Sequence, residues 1–320
     1  MRIVLVHNPS ASSVTPRSRV VIAKALSADH DVTLAETNRR GHATRLAQGA
    51  ANDGVDVVIA LGGDGTLNEA ANGVAGTQTA LAVLPGGSTN VFARTIGLAN
   101  DPVEATGQLL HSLATPASTI EPIGLGTVNG RYFLFHTGIG LDAELVHQVE
   151  SRGKLKRYAG HPLFVYCGLL AWARVYDRSR PRFAISASAA GDEAGAGPTT
   201  LVVDDGMFTV VQNTNPYTFL GNRPFSTAPD ANLDRALTVL TLRSLDARPL
   251  LGALASALGS GKRLRYGRTS SYVTDRHEVT VTGYGPFPYQ VDGDYLGEAS
   301  ELRFAWVPKA MRLVTITPDG

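Results

Sequence analysis

The stretch from Val55 to Asn90 repeats one local pattern twice, and this repeat limits the folds open to the chain. Each copy is an apolar run that ends in a glycine-rich turn containing a hydroxyl residue, and a helical pattern follows. A strand that stops in glycines and leads into a helix presents unpaired backbone N–H groups and the positive end of the helix at one point. Such points bind phosphate groups.

The first turn is formed by residues 62–66. Gly62 and Gly63 leave no Cβ to obstruct a ligand, Asp64 supplies a carboxylate, and Gly65 permits the turn. The alternative interpretation is an ordinary strand-to-helix turn with Asp64 as a surface acid, because glycine-rich turns are common.

Thr66 is predicted to be the N-cap of the following helix. Glu69 stands three residues later, which is the spacing of a capping box. The helix is therefore expected to begin with Leu67.

The second turn is formed by residues 85–90. Gly87 leaves room for a ligand, and Ser88, Thr89 and Asn90 offer hydroxyl, amide and backbone donors to phosphate. The same residues could cap the helix that starts at Val91, and both roles can hold at once. Two such turns one strand apart indicate one ligand with more than one phosphate.

Composition narrows the class of protein. At 320 residues with 43% apolar content, the chain can bury a large core, and two domains are expected. The formal charge of +1 creates no field that recruits nucleic acid, and the single cysteine, Cys167, excludes a disulfide framework. The apolar run at the start of the chain is too short for a secretory signal. No apolar run reaches the roughly 18 residues needed to span a bilayer. A soluble cytoplasmic protein is expected.

Strand and helix patterns alternate up to about residue 120. This alternation predicts an α/β domain with a doubly wound, mostly parallel sheet. Ligands of such sheets bind beyond the carboxyl ends of the strands. The loops after the first, third and fourth strands are therefore expected to bring Asn8, Asp64 and Ser88 together.

From about residue 120 the pattern changes to short strands with frequent glycine. Asn129-Gly130 is a strong hairpin signal. The later strands predict a largely antiparallel β-sandwich, so the expected domains are residues 1–120 and 121–307. The strands expected in it are Phe183–Ser188, Thr199–Val203, Met207–Gln212, Leu237–Arg243, His277–Thr282 and Tyr289–Asp292.

These motifs resemble the lipid-kinase family that contains diacylglycerol kinases, sphingosine kinases and ceramide kinases. The match comprises GGDGT with an NE(x)2NG helix at 62–73, a P-x-G-[ST]-x-N loop at 85–90, Asn8-Pro9, and the VDGD segment at 291–294. The resemblance implies transfer of the γ-phosphate of ATP to a lipid hydroxyl, first of all diacylglycerol, giving phosphatidic acid. It also implies Mg²⁺, peripheral association with a membrane, and a final strand within 308–320 that returns to the first domain.

The resemblance assigns roles to individual residues. Asp64 would hold Mg²⁺ or its water network, which needs only one or two carboxylates. Asp294 stands where the family has the glutamate of a DGE motif, which accepts the proton of the attacking hydroxyl. From the residues alone, Asp292-Gly293 is typical of a hairpin turn. The residues expected around the nucleotide are Asn8, Ser10, Gly62, Gly63, Gly65, Thr66, Glu69, Gly87, Ser88, Thr89 and Asn90.

Three departures from the family pattern stand out, together with one similar segment. Val91 stands where many bacterial relatives have an aspartate. The NPxSG loop of the family is not reproduced in place, and Ser12 could take the position of its serine. Asp142 lies in a segment similar to GxGFDA, where it either supports the site or, as the default, caps the following helix. The DGxLDV pattern is incomplete at 234–239, so no structural metal is expected in the second domain.

A basic region runs from residue 152 to residue 182, with eight Lys and Arg residues and one Asp around an apolar segment. Such a helix could rest on an anionic membrane surface, or it could be buried with a solvated basic end. A second basic run at 262–268 either extends this face or flanks a loop.

Two other functions remain open at this stage. NAD kinases share the GGDGT motif and a sandwich domain, and a nucleotide-binding or membrane-binding protein without turnover would also fit the departures. The P-loop and H-E-x-x-H motifs are absent from the sequence. A homodimer is left open, and no nucleic-acid partner is expected.

Overall fold

The computed structural model describes residues 1–151, 170, 172, 176–177, 179–189 and 197–316. The chain divides into two compact units, which we call unit 1 (Met1–Leu125 with Pro308–Gly320) and unit 2 (Gly126–Val307). Most of the predicted membrane-surface region at 152–182 lies outside the described residues.

Unit 1 alternates strands and helices, as the sequence predicts. Its strands are β1 (Arg2–His7), β2 (Asp31–Glu36), β3 (Val57–Gly62) and β4 (Ala80–Pro85). Its helices are α1 (Pro16–Leu26), α2 (His42–Asn52), α3 (Asp64–Val74), α4 (Val91–Thr95), α5 (Pro102–Leu113) and α6 (Pro116–Thr119).

The sheet of unit 1 has the strand order β2-β1-β3-β4, and every neighbouring pair is parallel. Both β3 and β4 are buried along their whole length, which explains their continuous apolar sequence. The chain moves outward from β1 to β2 and then returns to β3 on the other side. The loops after β1 and β3 therefore flank the point where the order reverses.

Unit 2 is built mainly from strands, and strand β5 (Ile120–Val128) leads into it from unit 1. The remaining strands are β6 (Arg131–Phe133), β7 (His136–Gly140), β8 (Phe183–Ser188), β9 (Thr200–Gly206), β10 (Phe208–Gln212), β11 (Thr218–Leu220), β12 (Arg223–Phe225), β13 (Leu237–Leu242), β14 (Ser270–Arg276), β15 (Glu278–Val291) and β16 (Asp294–Val314). The helices are α7 (Leu141–Glu150), α8 (Ala247–Ala257) and α9 (Lys262–Tyr266).

The strands of unit 2 pair antiparallel in the order β14-β13-β10-β7-β15, and β8 and β9 extend from β15. The fold class of both parts is therefore confirmed: an α/β unit with a parallel sheet and an antiparallel β unit. The last residues of β16 pair parallel with β4 of unit 1, with Arg312 opposite Ala80.

Two hairpin turns follow the sequence signals. Asn129 and Gly130 both have positive φ between β5 and β6, and Val128 pairs with Arg131. Asp292 and Gly293 have φ of 48° and 81°, and they form a two-residue turn between β15 and β16. Positive φ at both central positions is the mark of a type I′ turn. The prediction of Asp292 as a strand residue is corrected, because β15 ends at Val291.

Candidate functional site

Three loops of unit 1 contact one another at the carboxyl edge of the sheet. The backbone N–H of Asn8, after β1, donates to the carbonyl of Leu61 at 3.1 Å. The backbone N–H of Gly86, after β4, donates to the carbonyl of Gly62 at 2.8 Å. Segments far apart in the sequence are therefore neighbours, and the two glycine turns pack directly against each other.

Glycine is required where these turns meet. A Cβ at Gly86 would lie 2.8 Å from the Cα of Gly62, and a Cβ at Gly87 would lie 2.8 Å from the Cα of Gly63. Atoms of the backbone cannot move aside as the end of a side chain can. The glycines thus serve the packing of one turn on the other, in addition to leaving the surface clear for a ligand.

Helix α3 begins earlier than predicted. Its first residue is Asp64 and its N-cap is Gly63, so the prediction of Thr66 as the N-cap is wrong. An aspartate in the first turn is stabilised by the positive end of the helix, which favours the earlier start. Because glycine has no side chain, the start of α3 lacks a side-chain cap.

The hydroxyl of Thr66 has a different partner. Its Oγ1 accepts a hydrogen bond from Nδ2 of Asn8 at 3.3 Å. A Cβ at Gly62 would lie 2.8 Å from the Cβ of Thr66, so Thr66 also covers that glycine. Thr66 therefore ties the first loop to the start of α3.

The expected capping box of Glu69 does not form. Its two carboxylate oxygens accept the backbone N–H groups of Gly41 at 2.7 Å and Ala43 at 3.1 Å. Those residues lie at the start of α2, where Gly41 is an N-cap without a side chain. Glu69 thus caps a neighbouring helix, and its predicted contact with a nucleotide remains a prediction.

Asp64 joins the two glycine turns. Its Oδ2 accepts the backbone N–H of Val91 at 3.1 Å, and its Oδ1 accepts that of Phe92 at 3.3 Å. The carboxylate therefore accepts the first N–H groups of α4 from the turn after the neighbouring strand, β3. The side chain of Val91 cannot supply the carboxylate of the bacterial pattern, but its backbone still anchors Asp64. Asp64 is half-buried at the edge where the phosphates are expected.

Asn90 is used inside its own loop. It is only 2% exposed and has a φ of 51°. Its Oδ1 accepts the N–H of Gly87 at 2.7 Å, while its Nδ2 donates to the carbonyl of Gly87 at 2.8 Å and to Oδ1 of Asn100 at 2.8 Å. The prediction that the amide of Asn90 faces a phosphate is corrected, because that amide is buried and already paired. Ser88 is exposed and Thr89 is half-buried.

The loop after β1 is an Asx turn. Oδ1 of Asn8 accepts the N–H of Ser10 at 2.9 Å, which closes the turn locally. Ser13, which sequence reasoning missed, donates its hydroxyl to the carbonyl of Gly87 at 2.9 Å and its N–H to the carbonyl of Gly86 at 2.9 Å. Ser12 is exposed. The family pattern points to Ser12, but the hydrogen bond to the second glycine turn is made by Ser13.

His7 was also missed by sequence reasoning, and it lies buried at the end of β1. Its pKa is lowered first by burial and second by the Arg19 guanidinium, while the Glu36 carboxylate raises it. Nε2 of His7 is 3.7 Å from Oε2 of Glu36. The imidazole is therefore neutral near pH 7, so the loop edge gains no positive charge from it.

In unit 2, Asp294 is the first residue after the turn at Asp292-Gly293 and is half-buried. The carboxylate of Asp292 points inward. It accepts the N–H groups of Leu134 at 2.7 Å, Phe135 at 3.0 Å and His136 at 3.1 Å. The two acids of the turn thus differ in role, since Asp292 holds the turn and Asp294 follows it.

Asp142 does not cap α7, so that default prediction is wrong. The N-cap is Gly140, with no side-chain hydrogen bond. Asp142 is buried, and its oxygens accept the O–H of Tyr217 at 2.5 Å and Nε2 of Gln290 at 2.7 Å. Burial raises the pKa of Asp142, and the bonds from Tyr217 and Gln290 lower it.

The described residues contain no group of three or more His, Cys, Asp or Glu side chains arranged to hold a metal ion. Within the described part of the chain, every helix is too short or too polar to cross a bilayer.

Comparison with known proteins finds a family match over the stretch that contains these loops. Residues 2–121 match the model of the diacylglycerol kinase catalytic domain. The diacylglycerol kinase of Bacillus subtilis (strain 168) is 33% identical over 170 residues, and that of Staphylococcus aureus (strain JH9) is 29% identical over 160 residues. The alignments cover 52% and 49% of this chain and 54% and 48% of the relatives. The chain thus matches about half the length of these curated relatives.

A solved structure extends the likeness of the fold to both units. The crystal structure of a diacylglycerol kinase from Bacillus anthracis str. Sterne aligns with a TM-score of 0.72 at 21% identity, covering 99% of this chain and 97% of that one. At this identity the likeness concerns the fold. The match to the domain model confirms the resemblance seen in the glycine motifs over residues 2–121, and that part of the chain is similar to the diacylglycerol kinase catalytic domain.

Proposed function

We propose that the protein is an ATP-dependent lipid kinase that transfers the γ-phosphate of ATP to the hydroxyl of diacylglycerol and yields phosphatidic acid. The observation that carries the proposal is the start of α3, which has no side-chain cap and lies against a second glycine turn. Together with the family match of residues 2–121, this edge supports the binding of a polyphosphate.

In this proposal the phosphates of ATP bind to N–H groups of the two glycine turns and to exposed donors beside them. The candidates are Asn8, Ser10, Gly62, Gly63, Gly65, Thr66, Gly87, Ser88 and Thr89. Bound Mg²⁺, held through Asp64, would neutralise phosphate charge. Because Asp64 is fixed by two amides of α4, its carboxylate needs little reorganisation when the nucleotide binds.

Asp294 is proposed as the general base. The lipid hydroxyl oxygen forms a bond to the γ-phosphorus, the bond from that phosphorus to the β–γ bridging oxygen breaks, and ADP leaves. The hydroxyl proton passes to the carboxylate of Asp294. Catalysis of such a transfer rests mainly on positioning and charge neutralisation, so the turn that carries Asp294 must be held firmly.

The test is phosphate transfer from labelled ATP by the full chain to diacylglycerol in mixed vesicles, with sphingosine, ceramide and NAD as competing acceptors. Label is expected in phosphatidic acid. Asp64→Asn and Asp294→Asn are each expected to lower kcat by at least about 100-fold, because each removes a charge that acts on the reacting groups. Asp294→Asn should still bind ATP.

Two exposed acids provide matched controls, Asp53→Asn in unit 1 and Asp204→Asn in unit 2. Both are expected to retain wild-type turnover. Labelled NADP instead of labelled lipid would establish the NAD kinase alternative. Tight ATP binding with no labelled product would establish a binding protein without turnover.

We further propose that unit 2 meets an anionic bilayer through the α8–α9 face, formed by Arg248, Leu251, Leu254, Lys262, Arg263 and Tyr266. Leu251 is 66% exposed and Tyr266 is 78% exposed. A Cβ at Gly252 would lie 2.9 Å from Nη1 of Arg263, so α9 and α8 form one surface. Residues 247–274 contain five Lys and Arg residues and no Asp or Glu. Exposed apolar side chains among cations favour a negatively charged lipid surface.

Sedimentation with phosphatidylglycerol-containing vesicles tests this face. Each basic residue near such a surface contributes about 1 kcal/mol, so Lys262→Ala with Arg248→Ala should weaken binding by roughly 10–30-fold. The matched control is Arg17→Ala with Arg45→Ala, two exposed cations of unit 1. An equal loss in the control pair, or binding that salt does not weaken, would argue against this surface.

A further inference from the structure

A buried chain of hydrogen bonds in unit 2 links α7 to the turn that precedes Asp294. Oδ2 of Asp142 accepts Nε2 of Gln290 at 2.7 Å, and Oε1 of Gln290 accepts the backbone N–H of Gly293 at 2.8 Å. We propose that Asp142 and Gln290 are positioning residues that fix the turn at Gly293 and thereby the carboxylate of Asp294. This proposal rests on the proposed function, in which Asp294 accepts the proton.

The direction of these bonds is set by Asp142. Its other oxygen, Oδ1, accepts the O–H of Tyr217 at 2.5 Å, so both oxygens face donors. A glutamine amide can point either way in a structure, with its oxygen and nitrogen exchanged. Here an acceptor stands on one side of Gln290 and a backbone N–H stands on the other. Only one orientation satisfies both, and in it Oε1 faces Gly293.

Burial makes this orientation costly to lose. Asp142 is 5% exposed and Gln290 is 0% exposed. Strand β7 presses on the pair, since a Cβ at Gly138 would lie 1.5 Å from Oδ2 of Asp142 and 2.6 Å from Nε2 of Gln290. The close approach of β7 excludes water that could replace a broken bond. An unpaired polar group in such a place costs more than the net gain of a typical hydrogen bond.

The hairpin is held on both sides of Asp294. Gly293 is bound by Gln290 on one side, and on the other the N–H of Tyr295 donates to Oε1 of Glu150 at 3.5 Å. The ring of His147 lies 4.4 Å from the ring of Tyr295. Asp142 and Glu150 stand at the two ends of α7. Helix α7 therefore contacts the hairpin on both sides of Asp294. Asp142 acts through Gln290 before it, and Glu150 binds Tyr295 after it.

The double-variant test uses the polarity of the pair. In Asp142→Leu, Nε2 of Gln290 loses its acceptor, so the orientation of Gln290 toward Gly293 is no longer fixed. Asparagine alone is not used for this purpose, because its oxygen can still accept Nε2 of Gln290 while its NH₂ donates to the hydroxyl of Tyr217. Gln290→Glu keeps the acceptor for Gly293 but sets two carboxylates against each other. When Gln290→Glu is combined with Asp142→Asn, the new amide at position 142 can donate to the new carboxylate at position 290. The chain of bonds is then rebuilt with reversed polarity, so the double variant is a rescue.

Each single variant is expected to lower kcat by about 10–100-fold, because displacement of a reacting group on the order of 1 Å has effects of this size. KM for ATP should stay within about twofold, since ATP is expected to bind to unit 1. The double variant should return to within about fivefold of wild type. Transfer from ATP to diacylglycerol vesicles is measured throughout.

A second readout does not depend on turnover. Amide hydrogen exchange at Gly293 should become faster in Asp142→Leu and return to the wild-type rate in the double variant. Tyr217→Phe is the matched control, because it removes the other bond to Asp142 and leaves the path from Asp142 through Gln290 to Gly293 intact. It should change neither Gly293 exchange nor kcat by more than about threefold, as no reacting group is displaced.

Wild-type exchange at Gly293 in Asp142→Leu, or a double variant no better than the single ones, would overturn the proposal. If Asp142→Leu does not fold, Gln290→Met replaces it, since methionine keeps the volume and removes the acceptor for Gly293. Normal exchange and kcat in that variant would also overturn it. If wild type transfers no phosphate to lipid while exchange follows the expected pattern, the proposed function fails and the bracing of the turn stands.

Discussion

The glycine turns of unit 1 and the Asp292-Gly293 turn of unit 2 are built in opposite ways. In unit 1, backbone packs on backbone, and the start of α3 is left without a side-chain cap. In unit 2, buried side chains occupy the backbone donors, with three N–H groups bound to Asp292 and one to Gln290. The first arrangement has no capping side chain at the start of α3, and the second uses backbone N–H groups to fix the turn.

This difference indicates what each turn can do. An anion can bind where N–H groups are open, whereas a general base must be held at one place. Side chains in unit 1 also hold the loops, through the hydrogen bonds of Asp64 and Asn90. We therefore expect substitutions at the two turns to separate stability from ligand binding, and four predictions examine this contrast.

The largest effect is expected for Asp292→Asn. The buried carboxylate accepts three N–H groups, while an asparagine offers one oxygen and places an NH₂ group against a donor. Loss of hydrogen bonds to a buried charged group should lower the free energy of unfolding by roughly 3–4 kcal/mol. Urea unfolding measures the change.

The control for this substitution is Asp275→Asn, whose carboxylate pairs with Arg235 at the surface. An exposed ion pair contributes about 0–1 kcal/mol, so little change is expected. If the two variants lose the same stability, burial does not distinguish the turn of unit 2 and the contrast fails.

Acid should weaken unit 2 through His136. Burial lowers the pKa of His136 to about 3, from 6.5. Neither ring nitrogen has a hydrogen-bond partner among the described residues, and the ring stacks on Tyr217 with centroids 4.1 Å apart. The unfolded chain binds a proton below about pH 6.5 and the folded protein does not, so stability falls as pH decreases from 6.5 toward 3. At a pH of about 4.5 the loss should be about 2–3 kcal/mol.

The comparison with His136→Phe isolates this effect. Asp142 acts in the opposite direction, because burial raises its pKa and the folded state keeps its proton to a higher pH than the unfolded chain does. Both proteins retain Asp142, so the difference between their stability curves reports His136 alone. Parallel curves between pH of about 7.5 and 4.5 would contradict the assignment of a neutral, buried imidazole.

The contrast also explains which features the sequence could predict. Apolar runs and glycine turns depend on local geometry. The sequence therefore predicts the strands β1, β3 and β4 and both hairpin turns. The partners of Asp142 are Tyr217 and Gln290, 75 and 148 residues away. Such partners depend on how strands pack, and no local pattern encodes them. For the same reason the sequence predicts Asp64 as a site acid but does not predict its bonds to backbone N–H groups of α4.

The start of α3 shows a second limit of sequence reasoning. The Thr66 and Glu69 spacing matches a capping box, yet Glu69 is bound to the start of α2. Tertiary contacts with another helix outweighed a local capping pattern that contributes only about 1 kcal/mol. Motifs that depend on one or two weak bonds are therefore the least certain part of a sequence interpretation.

The third prediction concerns the packing of the two glycine turns. In Gly86→Ala the new Cβ would lie 2.8 Å from the Cα of Gly62, so the turns must separate. We expect a loss of about 1–3 kcal/mol, as for other overpacked sites, and at least about tenfold weaker ATP binding. Calorimetry with ATP and thermal unfolding measure the two effects.

Gly107→Ala is the control for this substitution. Gly107 lies within α5, and nothing stands within 4 Å of its Cβ position. Alanine should stabilise the helix by about 0.5–1 kcal/mol and leave ATP binding unchanged. Similar ATP affinity in both variants would show that the close approach of the turns is not needed for the phosphates.

The smallest effect on stability is expected for Asn8→Ala. The bond from Nδ2 of Asn8 to Thr66 is long at 3.3 Å, and the side chain is only half-buried, so the loss should be about 0.5–1 kcal/mol. The same substitution opens the Asx turn at Ser10 and releases the loop beside the start of α3. ATP binding should weaken by roughly 5–10-fold, more than the stability change alone accounts for.

Asn38→Ala, at an exposed position of the same unit, should alter neither quantity. If Asn8→Ala instead lowers stability as much as Asp292→Asn while ATP affinity is unchanged, the loop after β1 is a structural turn like that of unit 2, and the open edge of unit 1 is confined to the two glycine turns.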